Sequence, residues 1–64
     1  MYIKTPKIKV GSKVSVPDPK KDDNWQHSFQ GRVIKIDTDN WEAFVVDQDD
    51  DVYCLEVERM IVLD

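Results

Sequence analysis

One cysteine, one histidine and two glycines stand in a chain of 64 residues, and each scarcity closes off a class of readings. Domains below about 70 to 80 residues often carry disulfides or a metal as staples. Cys54 has no second cysteine with which to form one, so the simplest setting is a reducing compartment. His27 has no second histidine, and one histidine with one cysteine falls short of the ligands a structural zinc site needs. Ser12, Ser15 and Ser28 belong to no nucleophile motif. A nucleophile, a base and an orienting group therefore cannot be assembled, and the chain reads as a non-enzyme with no catalytic residue, metal or cofactor. Nothing approaches the run of about 20 apolar residues that a membrane span requires. The N-terminal MYIKTPKIKVGSK has lysines but lacks the apolar stretch of a signal peptide. A soluble, cytoplasmic protein is the expectation. Internal repeats are absent, and no 12-residue segment carries a helical amphipathic pattern.

Charge is divided along the chain. Residues 1–36 hold eight Lys and Arg against three Asp, whereas residues 37–64 hold one Arg against ten Asp and Glu, for a net charge of -4. In an interleaved fold such halves can face one another across neighbouring strands. The acidic balance also disfavours nucleic acid, whose affinity comes largely from neutralised phosphates.

What is present is a series of short β-type segments. Val10, Val14 and Val16 alternate with polar residues around Gly11, which predicts a first strand through Lys13–Val16. Two prolines and a run of four charges make Pro17 to His27 a long loop. Ser28 to Asp37 resumes β composition, with Phe29, Gly31 and Val33 on one parity and Ile34 and Ile36 on the other. That switch predicts a bulge or bend beside Gly31. DTDN, residues 37–40, is a turn in which Asn40 tolerates the left-handed region. Trp41 to Asp47 is apolar on both parities and predicts a strand covered on much of both sides. After QDDD the chain returns as Val52 to Leu55, with Cys54 expected as a small core residue. Residues 56–60 suit one turn of 3₁₀ helix, and MIVLD closes as a last strand. Val33, Val45, Leu55 and Met60 are expected to supply much of a thin core.

The expected architecture is an all-β domain over residues 8–64, preceded by an N-terminal extension, residues 1–7. Its segments resemble a small five-stranded SH3-like barrel with one 3₁₀ turn before the last strand, and more narrowly the KOW and Tudor-like members of that superfamily. VGSKVSV is similar to their Gly-x-x-Val-x-Val opening, GRVIKI to the Gly-x-Val-x-x-Ile strand of KOW segments, and LEVERMIVL to their closing turn. The resemblance covers about residues 8 to 63 and implies a binding module. Proline-peptide SH3 domains carry an Ala-Leu-Tyr-Asp-Tyr stretch, where this chain has VSVPDPK. Tudor domains that grip methylated residues present an aromatic just after the third strand's Asp, where this chain has Gln48. What remains is a partial cage from Trp25, Phe29, Phe44 and Tyr53. KOW modules use basic loops, and here Lys20 and Lys21 stand beside Asp18, Asp22 and Asp23.

Two aromatic residues and one acidic run carry separate readings. Trp41 is expected in the core or at a barrel end. Trp25 lies in the polar stretch KKDDNWQHSF and either staples the loop onto the domain or forms a surface anchor for a partner. Asp47, Asp49, Asp51 and Glu58 match positions 1, 3, 5 and 12 of a calcium loop. Position 6 is Val52 instead of Gly and the flanks read as strands, so a solvated hairpin tip is expected. The resulting function is binding of another protein or peptide through loop 17–27 and adjoining strands, by Trp25, Phe29, Phe44 and Tyr53. The alternative is a nucleic-acid or ribosome-associated module using Lys20, Lys21, Arg32 and Lys35.

Overall fold

The computed structural model describes residues 8–63, so the expected extension, residues 1–7, lies outside the described residues. Five strands form one antiparallel sheet: β1 (Lys13–Val16), β2 (Phe29–Asp37), β3 (Glu42–Val46), β4 (Val52–Glu56) and β5 (Ile61–Val62), with a single 3₁₀ turn at Val57–Arg59. The order across the sheet is β4-β3-β2-β1-β5. No α-helix occurs among the described residues. The sheet does not close on itself, since β4 and β5 are its two edges.

β2 is the strand that both halves share. Its first residues, Phe29 to Arg32, pair with β1, and Arg32 to Asp37 pair with β3. Between these halves the register slips from Val33 to Lys35, leaving Ile34 as the extra residue. Phe29, Gly31 and Val33 consequently lie on one parity and Ile36 rejoins their face, while Ile34 is 46% exposed. The expected break is real but sits three residues beyond Gly31. Gly31 has a separate reason to lack a side chain: a Cβ there would stand 2.5 Å from the Val46 carbonyl oxygen and 2.6 Å from Val45 Cγ1. The two strands approach too closely for any larger residue.

The core takes one side of the sheet. Val14, Val16, Val33, Ala43, Val45 and Leu55 come from the strands, Val57 and Met60 from the 3₁₀ segment, and Trp25 from the long loop. Val33, Val45, Leu55 and Met60 are buried as expected. Two expectations on this face are corrected. Cys54 is exposed, because Tyr53 and Leu55 take the inward parity of β4. Val10 is 60% exposed, because Gly11 at φ +97° breaks the alternation before β1 begins. Ser12 is buried in its place, and its Oγ accepts the Lys9 N–H at 3.1 Å.

Candidate functional site

The long loop is held to the sheet by its own side chains. Trp25 is 4% exposed and its Nε1–H donates to the Pro17 carbonyl at 2.8 Å, which ties the middle of the loop to its start. The Asp18 carboxylate accepts the Ser28 N–H at 3.1 Å and ties start to end. Between them the Lys20 N–H donates to Asp23 Oδ2 at 2.7 Å and the Asp23 N–H donates back to the Lys20 carbonyl at 3.0 Å. Arg59 then clamps the loop from outside. Its guanidinium lies 5.2 Å from the Trp25 ring centroid and donates to both Asp23 oxygens, at 2.7 and 3.2 Å. Arg59 holds the Asp23 carboxyl below the ordinary aspartate range, first through this hydrogen bonding, with the Lys20 amide adding to it. Trp25 is thus the staple, and its ring is core.

Beside the staple, Phe29 and Tyr53 make the surface that Trp25 supports. The Phe29 and Tyr53 rings lie 5.4 Å apart, and Trp25 meets them edge-on at 6.5 and 6.1 Å. Phe29 lines a groove of about 340 Å³ whose walls are His27, Ser28 and Gln30 on one side and Asp47, Gln48 and Asp49 on the other. The groove therefore runs between the end of the long loop and the β3–β4 turn. Burial raises the Tyr53 phenol above its usual value, and the carboxylates of Asp51, Asp47 and Asp49 raise it further. An aromatic rim next to a concentration of negative charge is suited to cationic or amphipathic side chains.

Phe44 does not join this group. It sits between buried Ala43 and Val45, so strand alternation sends it to the opposite face, where the Lys35 ammonium lies 5.7 Å from its ring centroid. Three of the four expected aromatic residues converge and the fourth does not.

The basic residues are also divided. Lys20 and Lys21 line a groove with Asp22, Asp23, Glu56 and Glu58, so carboxylates surround them. Arg32 and Lys35 are exposed on β2, with Arg32 donating to the Gly11 carbonyl at 3.0 Å. In the acidic turn, Asp47 Oδ1 accepts the Asp49 and Asp51 N–H groups at 2.9 and 3.0 Å. That carboxylate is used to shape a hairpin. No group of three or more His, Cys, Asp or Glu arranged to hold a metal occurs among the described residues.

Arg59 and its partner Asp23 escaped the sequence reading. Arg59 is the only cation in residues 37–64, and that isolation was the available signal that it has a dedicated partner. The partner itself is 36 residues away, a pairing that only the folded loop creates. Comparison with protein-family models, with curated proteins and with solved structures finds no match to this chain.

Proposed function

We propose that the chain is a non-enzymatic SH3-like barrel module that binds another protein or peptide at the groove between the long loop and the β3–β4 turn. Support for the barrel is the sharing of β2 between two half-sheets, bulged at Ile34, with one 3₁₀ turn before the last strand. The observation that carries the function is the groove itself, with Phe29 backed by Tyr53 and Trp25 on one side and Asp47 and Asp49 on the other. A rigidly backed aromatic beside polar walls is a favourable anchor site, because little side-chain freedom is lost when a partner covers it. The nucleic-acid alternative is weaker, since the carboxylates around Lys20 and Lys21 oppose phosphate there.

The test is chemical-shift mapping of the labelled protein with a partner captured from cell extract, then with short RNA and DNA oligomers. Partner-induced shifts at His27, Ser28, Gln30, Gln48 and Asp49 are expected. Salt-sensitive shifts at Lys20, Lys21, Arg32 and Lys35 with an oligonucleotide, and a silent groove, reverse the assignment.

A further inference from the structure

Among the described residues, the outer edge of β4 is a row of unused backbone groups. β4 pairs with β3 on one side alone, and its register with β3 runs unbroken from Glu42 opposite Glu56 to Val46 opposite Val52. Two backbone bonds fix which groups point inward. The Asp47 N–H donates to the Asp51 carbonyl and the Val57 N–H to the Trp41 carbonyl, both at 3.0 Å, and they bracket the ladder. Opposed residues in an antiparallel ladder alternate between bonded and non-bonded pairs. Tyr53 and Leu55 are therefore the β4 residues bonded to β3. Val52, Cys54 and Glu56 turn their N–H groups away from the sheet, together with the carbonyls of Val52 and Cys54. All three residues are exposed.

Sheet edges are usually blunted by proline, a bulge, a lysine or a covering segment. β4, with the sequence VYCLE, has no proline, no lysine and no bulge. It has negative charge instead. Residues 42–58 contain seven carboxylates and no Lys or Arg. At one end of β4, among the described residues, no hydrogen bond or ion pair engages the exposed side chains of Asp49, Asp50 and Asp51. At the other end Glu56 is already met by Arg59, 3.5 Å away, and shares a groove with Lys20 and Lys21. Uncompensated charge is thus concentrated at the Asp49–Asp51 end.

We propose that the free edge of β4 takes an extended, Lys- or Arg-rich peptide segment as a sixth strand, with the peptide's cations at the Asp49–Asp51 end. This rests on the reading of the domain as a peptide binder and names the partner's chemistry and backbone geometry. Backbone pairing supplies affinity of the strand-addition kind, and charge sets which end of the peptide lies where. A second copy is a poorer occupant. Two β4 edges paired antiparallel about Cys54 set Glu56 of each copy opposite Val52 of the other and bring two net acidic hairpins together with no added cation.

The probe is a capped synthetic heptapeptide of alternating Thr and Val with two Arg at one end. Its control has the same charge, with Pro in place of Val. Amide hydrogen exchange is followed in the labelled protein. The alternating probe is expected to slow exchange at Val52, Cys54 and Glu56 while Tyr53 and Leu55 change little. The Pro control, unable to form those bonds, is expected to bind roughly tenfold more weakly. Asp49→Asn with Asp51→Asn is expected to weaken the probe at low salt without altering the fold, since neither side chain bonds to it. Cys54→Pro removes one outward donor and is expected to lower probe affinity. Should that variant fail to fold, the exchange pattern of the unmodified protein still decides.

Equal binding of the Pro control, or unchanged exchange along β4, overturns the edge proposal. If shifts then centre on His27 to Gln30 and Gln48, the rim-groove reading survives without it. If neither probe binds, the edge proposal fails and the rim groove is judged by its own partner mapping. Protection of β4 that depends on protein concentration and not on the probe assigns the edge to a second copy and equally overturns the proposal.

Discussion

At the scale of single residues, Trp25 shows how a staple can imitate a binding anchor. A Trp→Ala change in a core costs about 3–5 kcal/mol, and a chain of this length has roughly 3–10 kcal/mol in total. Among the described residues, Trp25 is the one aromatic ring in the buried apolar core, the others being Val, Ala, Leu and Met. Trp25→Ala is therefore expected to unfold the domain or lower its melting temperature sharply, as followed by circular dichroism. Trp25→Phe keeps most of the volume, loses the bond to Pro17, and should fold with a cost of about 1–2 kcal/mol. A Trp25→Ala protein with an unchanged melting transition contradicts its place in the core. Loss of partner binding in that variant would report folding and would say nothing about contact.

Cys54 gives a second residue-scale prediction. Its thiol is pushed above the usual value by desolvation first and then by the charge of Glu42, whose Oε1 lies 3.7 Å from Sγ. Fewer thiolates exist at neutral pH than in a free cysteine, so alkylation by iodoacetamide should be slow despite the exposure. Glu42→Gln should speed it only partly, because desolvation remains. Alkylation at the rate of an unstructured cysteine peptide contradicts this environment. The exposure of Cys54 was not legible in the sequence for a simple reason. Val52 and Cys54 on one parity of β4 are about as apolar as Tyr53 and Leu55 on the other, so alternation alone could not choose the inward face. The choice is made by β3, whose Val45 and Ala43 pair with Tyr53 and Leu55.

At the scale of elements, the strands were legible and the turns only in part. β1 has the bounds its valines predict, and β2 and β4 differ from expectation by one residue at an end. Here the signal is local: alternating β-branched residues between turn formers. The β2–β3 turn departs because its left-handed residue is Trp41, at φ 54°, and not Asn40. Asn40 is engaged otherwise, its side-chain and backbone N–H groups donating to Asp37 at 3.0 and 3.3 Å. β3 therefore starts at Glu42, and it ends at Val46, so it is one residue shorter at each end than the expected Trp41 to Asp47. Trp41 packs on the core's edge from that turn, and this packing offsets a conformation unfavourable for a bulky residue.

The same tethered segments set the response to acid. Asp23 is lowered by the Arg59 hydrogen bonds first, and Asp37 by the Asn40 side chain first. A carboxyl with a depressed folded value contributes stability that is fully present above its unfolded value, about 3.9 for aspartate. That contribution is lost as pH falls through the folded value. Urea midpoints should thus hold near neutrality and fall on acidification below about pH 4. Asp23→Asn should lower the neutral midpoint and make the acid decline shallower, because one of the titrating groups is gone. An acid limb of the same depth in Asp23→Asn would show that the Arg59 pair contributes nothing to it.

At the scale of the whole molecule, the meander converts sequence polarity into spatial polarity. Strands β4, β3, β2 and β1 lie side by side in reverse chain order, with the uncharged β5 beside β1, so the basic β1–β2 region and the acidic β3–β4 hairpin occupy different parts of the sheet. Lys13 and Arg32 are cross-strand neighbours on β1 and β2, while Asp49, Asp50 and Asp51 cap the turn beyond β3. An interleaved fold lets the two halves neutralise one another across neighbouring strands. Neutralisation occurs instead between the long loop and the chain around the 3₁₀ turn, at Arg59 with Asp23 and at the Lys20–Lys21 groove, while the β3–β4 turn keeps its charge. Polyanions should be repelled at that turn and held only weakly by Arg32 and Lys35. Fluorescence anisotropy with labelled single-stranded DNA and RNA should show little binding at physiological salt. A basic peptide of similar length should bind at low salt and weaken as salt screens the turn. Phosphate-driven binding has the opposite signature, with oligonucleotide affinity falling by orders of magnitude between about 50 and 200 mM salt. Steep salt dependence with nucleic acid, lost on Arg32→Ala and Lys35→Ala, would make the basic face of β2 the working surface and the acidic turn a solubilising tip.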